Sequence, residues 1–146
     1  MLVVAAMLSI LAMAVLPVAE VASVRVKERE LRQALLEIRA AIDAYKKVSD
    51  ASVVSGARAG SGYPADLKTL VAGVADPRPG SRGTTLYFLR RIPRDPFAPD
   101  TVPAELTWGL RSYDSPPDAP KAGADVYDVY SLAKRLGSNG LPLGQW

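Results

Sequence analysis

The side chains of this sequence most suited to chemistry are carboxylates and guanidiniums in its second half. Asp95, Asp100, Asp114, Asp118, Asp125 and Asp128 supply acids, and Arg90, Arg91 and Arg94 form a basic cluster. Catalysis needs such groups to converge with a base or a nucleophile on one reacting atom. The chain has no histidine and no cysteine. That removes the usual general base, the commonest transition-metal ligand, and any thiolate or disulfide. The aspartates are scattered over loops and strands, and such loops favour Asp because its side chain bonds the local backbone. We read them as solvated turn carboxylates and the arginines as a solvated or subunit-contacting surface. No catalytic residue is assigned.

The 146 residues that must position these groups are unevenly built. From Met1 to Ala19 there is no charge, Ser9 is the one polar side chain, and the first charge is Glu20. A membrane span needs roughly 20 apolar residues, so Leu2, Val3, Val4, Ala5, Ala6, Met7, Leu8, Ile10, Leu11, Ala12, Ala14, Val15, Leu16 and Pro17 read as a membrane or assembly helix. Ala12-Met13-Ala14 fits a cleavage pattern for a secretory signal, but no basic region precedes the run. Pro17 should kink or loosen the helix. The remaining chain is polar and nearly balanced, with 18 basic and 15 acidic residues. These interleave, as in Arg25-Val26-Lys27-Glu28-Arg29-Glu30. A nucleic-acid surface needs basic residues gathered on one face, so DNA and RNA are excluded as partners.

Leu31, Leu35, Ile38, Ile42 and Tyr45 recur in steps of four and three, one stripe of an amphipathic helix that should pack on its own domain. Glu28 with Arg32 and Asp43 with Lys47 sit at i,i+4 in the favourable acid-first order. With no Gly or Pro between Val18 and Val54, residues 1–19 and 20–50 read as one helix about 75 Å long. Asp50 to Gly62 reads as a loop. Tyr63 to Gly73 reads as a short helix, with Pro64 in its first turn and Gly73 at its end. Asp76 to Thr84 reads as a further loop. Leu86 to Leu89 is a short apolar turn, and Pro93 and Pro96 hold the next stretch extended. Leu106 to Tyr113 and Val126 to Leu132 read as strands. All 12 prolines except Pro17 lie in residues 51–146, which can hold only a small core. Docking its strands on the helix stripe solves that problem. The fold class is therefore α+β: a long amino-terminal helix, apolar then amphipathic, packed on a small antiparallel sheet with extended loops.

Four stretches in this order resemble the major pseudopilins of type II secretion systems, within the type IV pilin-like group. Leu2 to Pro17 is similar to the family's apolar amino-terminal helix, proline included. Tyr63-Pro64 with Leu67 and Leu70 is similar to its Tyr-Pro-plus-helix segment. The most specific piece, Tyr87 to Phe97, resembles a signature that carries Pro93, Asp95, Pro96 and Phe97. Asp125 to Leu132, then Gly137 to Gly140, resembles the closing strand and turn.

The resemblance implies a structural subunit rather than an enzyme, anchored in the bacterial inner membrane with residues 51–146 in the periplasm. It polymerises through the apolar helix into a periplasmic filament and carries amino-terminal methylation. Its implied partners are copies of itself, other pilin-like subunits, an inner-membrane assembly platform and membrane lipid. Aligned on Pro17, the family has five further residues, commonly Phe-Thr-Leu-Ile-Glu, after the glycine of a basic leader. We expect the sequence to begin downstream of these. The family also commonly binds calcium in its tail, and Leu132, Ser138 and Asn139 are the remnant of that loop. Here the turn reads Ser138-Asn139-Gly140, no carboxylate follows Asp128, and Ala133-Lys134-Arg135-Leu136 adds two positive charges. No cofactor is therefore assigned, and Trp146 is expected to pin the tail by packing. The alternatives are a type IV pilin or a minor pseudopilin, and then a single-pass anchored binding domain or enzyme.

Overall fold

The computed structural model describes residues 2–53, 60–78, 80–81 and 83–146, and within the first helix it describes side chains from residue 20 to residue 51. That helix, α1, spans Leu2–Val53, 52 residues or about 78 Å. The helix runs without a break through Pro17, where a loosening was expected, and the packing of residues 2–17 lies outside the described side chains. Among the described residues no helix is long and apolar enough to cross a membrane.

The second half of α1 buries its stripe. Leu31, Leu35, Ile38 and Ile42 are at most 2 % exposed, and Ala34 and Ala41 widen the buried face. Tyr45 is half-buried, edge-on to Phe88 at 5.4 Å. Leu36, on the opposite face, is 64 % exposed. The helix continues to Val53, past Asp50 where a loop was expected. No Gly or Pro stops it there, and Lys46 bonds Asp50 at 2.5 Å one turn on.

The short helix, α2, is Leu67–Ala72 and begins later than Tyr63-Pro64 suggests. Asp66 is its N-cap: extended backbone, with Oδ1 accepting from the Thr69 N–H at 2.8 Å. Pro64 therefore lies before the helix, buried, and its carbonyl accepts the Val126 N–H at 2.8 Å. Gly73 ends α2 at φ 78°. A Cβ there would strike the Leu86 carbonyl, so both the conformation and the space demand glycine.

Gly73 turns the chain into β1, Val74–Ala75, which pairs antiparallel with β2, Thr85–Leu86. The loop from Asp76 is thus the connection of a hairpin that the sequence reading missed. Strands of two residues are too short to show an alternation. The second pair is β3, Trp108–Arg111, against β4, Asp128–Ser131, with Trp108 opposite Ser131 and Arg111 opposite Asp128. Both strands are shorter than expected. Ala104–Leu106 is a 3₁₀ turn leaving Leu106 64 % exposed, and Ser112 N–H leaves the ladder for the Lys121 carbonyl. At Gly109 the Tyr130 ring occupies the place of a Cβ.

The fold is α+β: one long amino-terminal helix with two small antiparallel two-stranded sheets rather than a single sheet. β4 and the carboxy-terminal 3₁₀ turn Leu143–Gln145 pack together, and β4 also packs on α1. Val126, Val129, Trp108, Leu67, Leu70, Leu89 and Leu143 complete one core over the stripe. Ile38 has no exposed surface, so Ile38→Ala should cost about 2–5 kcal/mol in urea unfolding. Leu36→Ala on the open face should change stability by about 0.5 kcal/mol or less.

Candidate functional site

The 4-3 stripe of α1 runs backward from Leu31 through Glu28, Val24 and Val21. Its cover within the chain starts at Glu28, which is 4 % exposed. No residue from 20 to 27 is buried, and Val21 is 53 % exposed. Along the described part of α1, a bare length therefore precedes a covered one, and Glu28 marks the border.

The chain's last residues close on that border. Ser138 donates its N–H to Glu28 Oε1 at 2.7 Å and its hydroxyl to Oε2 at 2.5 Å. These bonds, helped by the charges of Arg32 and Arg135, hold the Glu28 carboxyl below its ordinary value. The helix pair expected between Glu28 and Arg32 is thus displaced: the Arg32 guanidinium lies 4.3 Å over the Trp146 ring. Arg39, two turns on from Arg32, is a three-way tie. Its Nε donates to Asp128 Oδ1 at 2.7 Å, Nη1 to the Trp146 carbonyl at 2.9 Å and Nη2 to the Val129 carbonyl at 3.1 Å. The Trp146 ring packs over Gly137, where a Cβ would collide with it.

The aspartates divide into two groups. Asp100, Asp114 and Asp118 are exposed. Asp95, Asp125 and Asp128 are not the solvated turn carboxylates expected. Asp95 is 1 % exposed and accepts from Ser131 Oγ at 2.5 Å and from the Phe97 N–H at 2.8 Å. Its own N–H donates to Thr107 Oγ1 at 3.2 Å. Asp125 accepts from Ser61 Oγ, from Ser112 Oγ at 2.8 Å and from the Tyr113 N–H at 2.9 Å. Burial pushes the Asp125 carboxyl up, but the donors from Ser61, Tyr113 and Ser112 outweigh it and hold it below its ordinary value. Each of these carboxylates ties distant segments together.

The other residues singled out in the sequence take places around this frame. Tyr63 stacks on Tyr113 at 5.6 Å and meets Tyr127 edge-on at 5.0 Å. The Pro93 carbonyl accepts the Trp108 indole N–H at 2.8 Å. Pro96 is half-buried, and Phe97 carries Arg135 at 5.1 Å. Arg90 and Arg91 are exposed, whereas Arg94 donates to the Val102 and Pro99 carbonyls. An open groove of about 1030 Å³ separates α1 from this segment, lined by charges of both signs: Arg29, Glu30, Glu37, Arg91 and Arg94.

The residues of the proposed calcium remnant lie in and before the tail turn. Ser138 points its donors at Glu28, Asn139 Oδ1 accepts the Leu141 N–H at 3.1 Å, and Leu132 is 53 % exposed. Among the described residues no three His, Cys, Asp or Glu side chains gather as metal ligands. The sequence reading placed Glu28 in a surface pair with Arg32 rather than in the buried stripe, and it did not single out Arg39. A signal for Glu28 existed: it is a charged residue in register with an apolar stripe. Comparison with protein-family models, curated proteins and solved structures gives no match to this chain.

A folded-state value below the ordinary one means Asp125 contributes stability above that ordinary value and loses it as pH falls through the lowered one. Thermal melts across the acid range should therefore fall more steeply for the wild type than for Asp125→Asn. Gly137→Ala should displace Trp146 and speed protease cleavage of residues 137–146 relative to the wild type and to a Leu36→Ala control on the open face of α1.

Proposed function

We propose that this chain is a structural subunit of a pilin-like periplasmic filament, the pseudopilus of a type II secretion system, and that it polymerises through its apolar amino-terminal helix. The observation that carries this reading is the division of α1. Its carboxy-terminal half is covered by the chain's own domain from Glu28 onward, and no residue from 20 to 27 is buried. The segment before them, Met1 to Ala19, is uncharged. A helix apolar on all sides needs lipid or other helices around it, and it can exchange one for the other because neither is a markedly better solvent for it. Anchoring in the inner membrane comes first and packing against other copies second.

The partners under this reading are copies of the chain, other pilin-like subunits, the inner-membrane platform and lipid. Ala5, Ala6, Ala12 and Ala14 are small enough to permit close helix approach. The role is structural rather than catalytic, in keeping with the use of Asp95, Asp125 and Asp128 as ties between segments. The chain has no cysteine of its own, so single substitutions Ala5→Cys and Ala12→Cys give clean cross-linking probes. Expressed with a type II secretion system, the full chain should fractionate with membranes and yield a ladder of cross-linked oligomers. A membrane-bound monomer without a ladder points to an anchored domain. A chain that stays monomeric and outside the membrane fraction contradicts the proposal.

A further inference from the structure

We infer that the turn Gly137–Gly140 is an anion-receiving site filled by the protein's own Glu28 carboxylate, so that the tail holds its place on α1 without a bound cation. The inference concerns the tail alone and does not depend on the filament reading.

The donor set decides the sign of the site. A calcium ion needs 6–8 oxygen ligands, commonly with carboxylates among them, yet Gly137-Ser138-Asn139-Gly140 carries no carboxylate, and three oxygens in and beside the turn accept its own N–H groups. The Gly137 carbonyl accepts the Gly140 N–H at 2.9 Å, the Leu141 carbonyl accepts the Gly137 N–H at 2.8 Å, and Asn139 Oδ1 accepts the Leu141 N–H. The groups the turn turns toward α1 are the Ser138 N–H and O–H, both donors, and they meet both oxygens of one carboxylate. A carboxylate receiving two hydrogen bonds from a single residue is a strong, charge-assisted pairing. The charged groups facing it are Arg32 from α1 and Arg135 from the segment after β4, which favour an anion and repel a divalent cation.

The site also stands where a latch is needed. Glu28 occupies a core position of the stripe, so a carboxylate left there without donors would be costly. Around it the tail is drawn in by the Leu136–Pro142 bridge, by the Leu143 N–H on the Arg135 carbonyl at 3.0 Å, and by Arg39 on the Trp146 carbonyl. Leu143, fully buried, is the apolar group this closure holds in the core.

The test is hydrogen exchange of residues 137–146 in the purified full chain, in millimolar calcium chloride and in EDTA. Protection should be the same in both for the wild type. Glu28→Ala should speed exchange of these amides by about tenfold or more, with no rescue by calcium, and Ser138→Ala by a smaller factor because the backbone donor remains. Should Glu28→Ala fail to fold, Ser138→Ala and the wild-type comparison carry the test alone. Faster exchange of the wild-type tail in EDTA than in calcium overturns the inference, as does unchanged tail protection in the Glu28 and Ser138 variants.

Discussion

The apolar stripe of α1 is the surface on which the rest of the described chain depends. The described residues between 60 and 146 form two sheets of two strands each, one α-helix of 6 residues and proline-rich connections. Neither sheet is wide enough to be stable by itself. Leu31, Leu35, Ile38 and Ile42 supply one wall of a shared core, and Val129, Leu67, Leu70 and Leu143 supply the other. The helix is thus a scaffold for the domain, and among its described side chains burial begins at Glu28.

Carboxylates do the long-range tying that disulfides do in small secreted domains without a sufficient core. Asp95 joins the Pro93–Phe97 segment to β4 through Ser131, and its backbone N–H joins it to Thr107. Asp125 gathers Ser61, Ser112 and Tyr113, and Asp128 anchors Arg39 of α1 to the strand. Glu28 does the same for the tail. Each of these acids meets hydroxyl, backbone or guanidinium donors, which is the condition for keeping a carboxylate in or near a core. These four acids thus tie segments of the described chain together.

The helix was legible in the sequence because its signal is local and long: the 4-3 spacing from Leu31 to Tyr45 repeats over several turns. The stop at Gly73 is also local and was read, whereas the cap at Asp66, equally local, was passed over because Tyr63-Pro64 pulled the expected start of α2 too early. The hairpin of β1 and β2 was not legible, because two residues per strand leave no pattern. The buried aspartates were missed for a different reason. Asp95 sits between prolines, a turn context, while its partner Ser131 is 36 residues away. Glu28 and Ser138 are separated by 110 residues. A side chain whose environment is assembled from such distances carries no local mark beyond its register, and at Glu28 that register was the one available clue.

In the proposed filament α1 has two parts with different needs, one covered by the chain's own domain from Glu28 onward and one that other copies would cover. Thiol reactivity of single-cysteine variants at Val21, Val24 and Ile38, compared in dispersed and in assembled full-length chain, tests it most directly. Ile38→Cys should be shielded in both states, while Val21→Cys and Val24→Cys should react when dispersed and become shielded on assembly. Equal reactivity at Val21 and Val24 in the two states would contradict it.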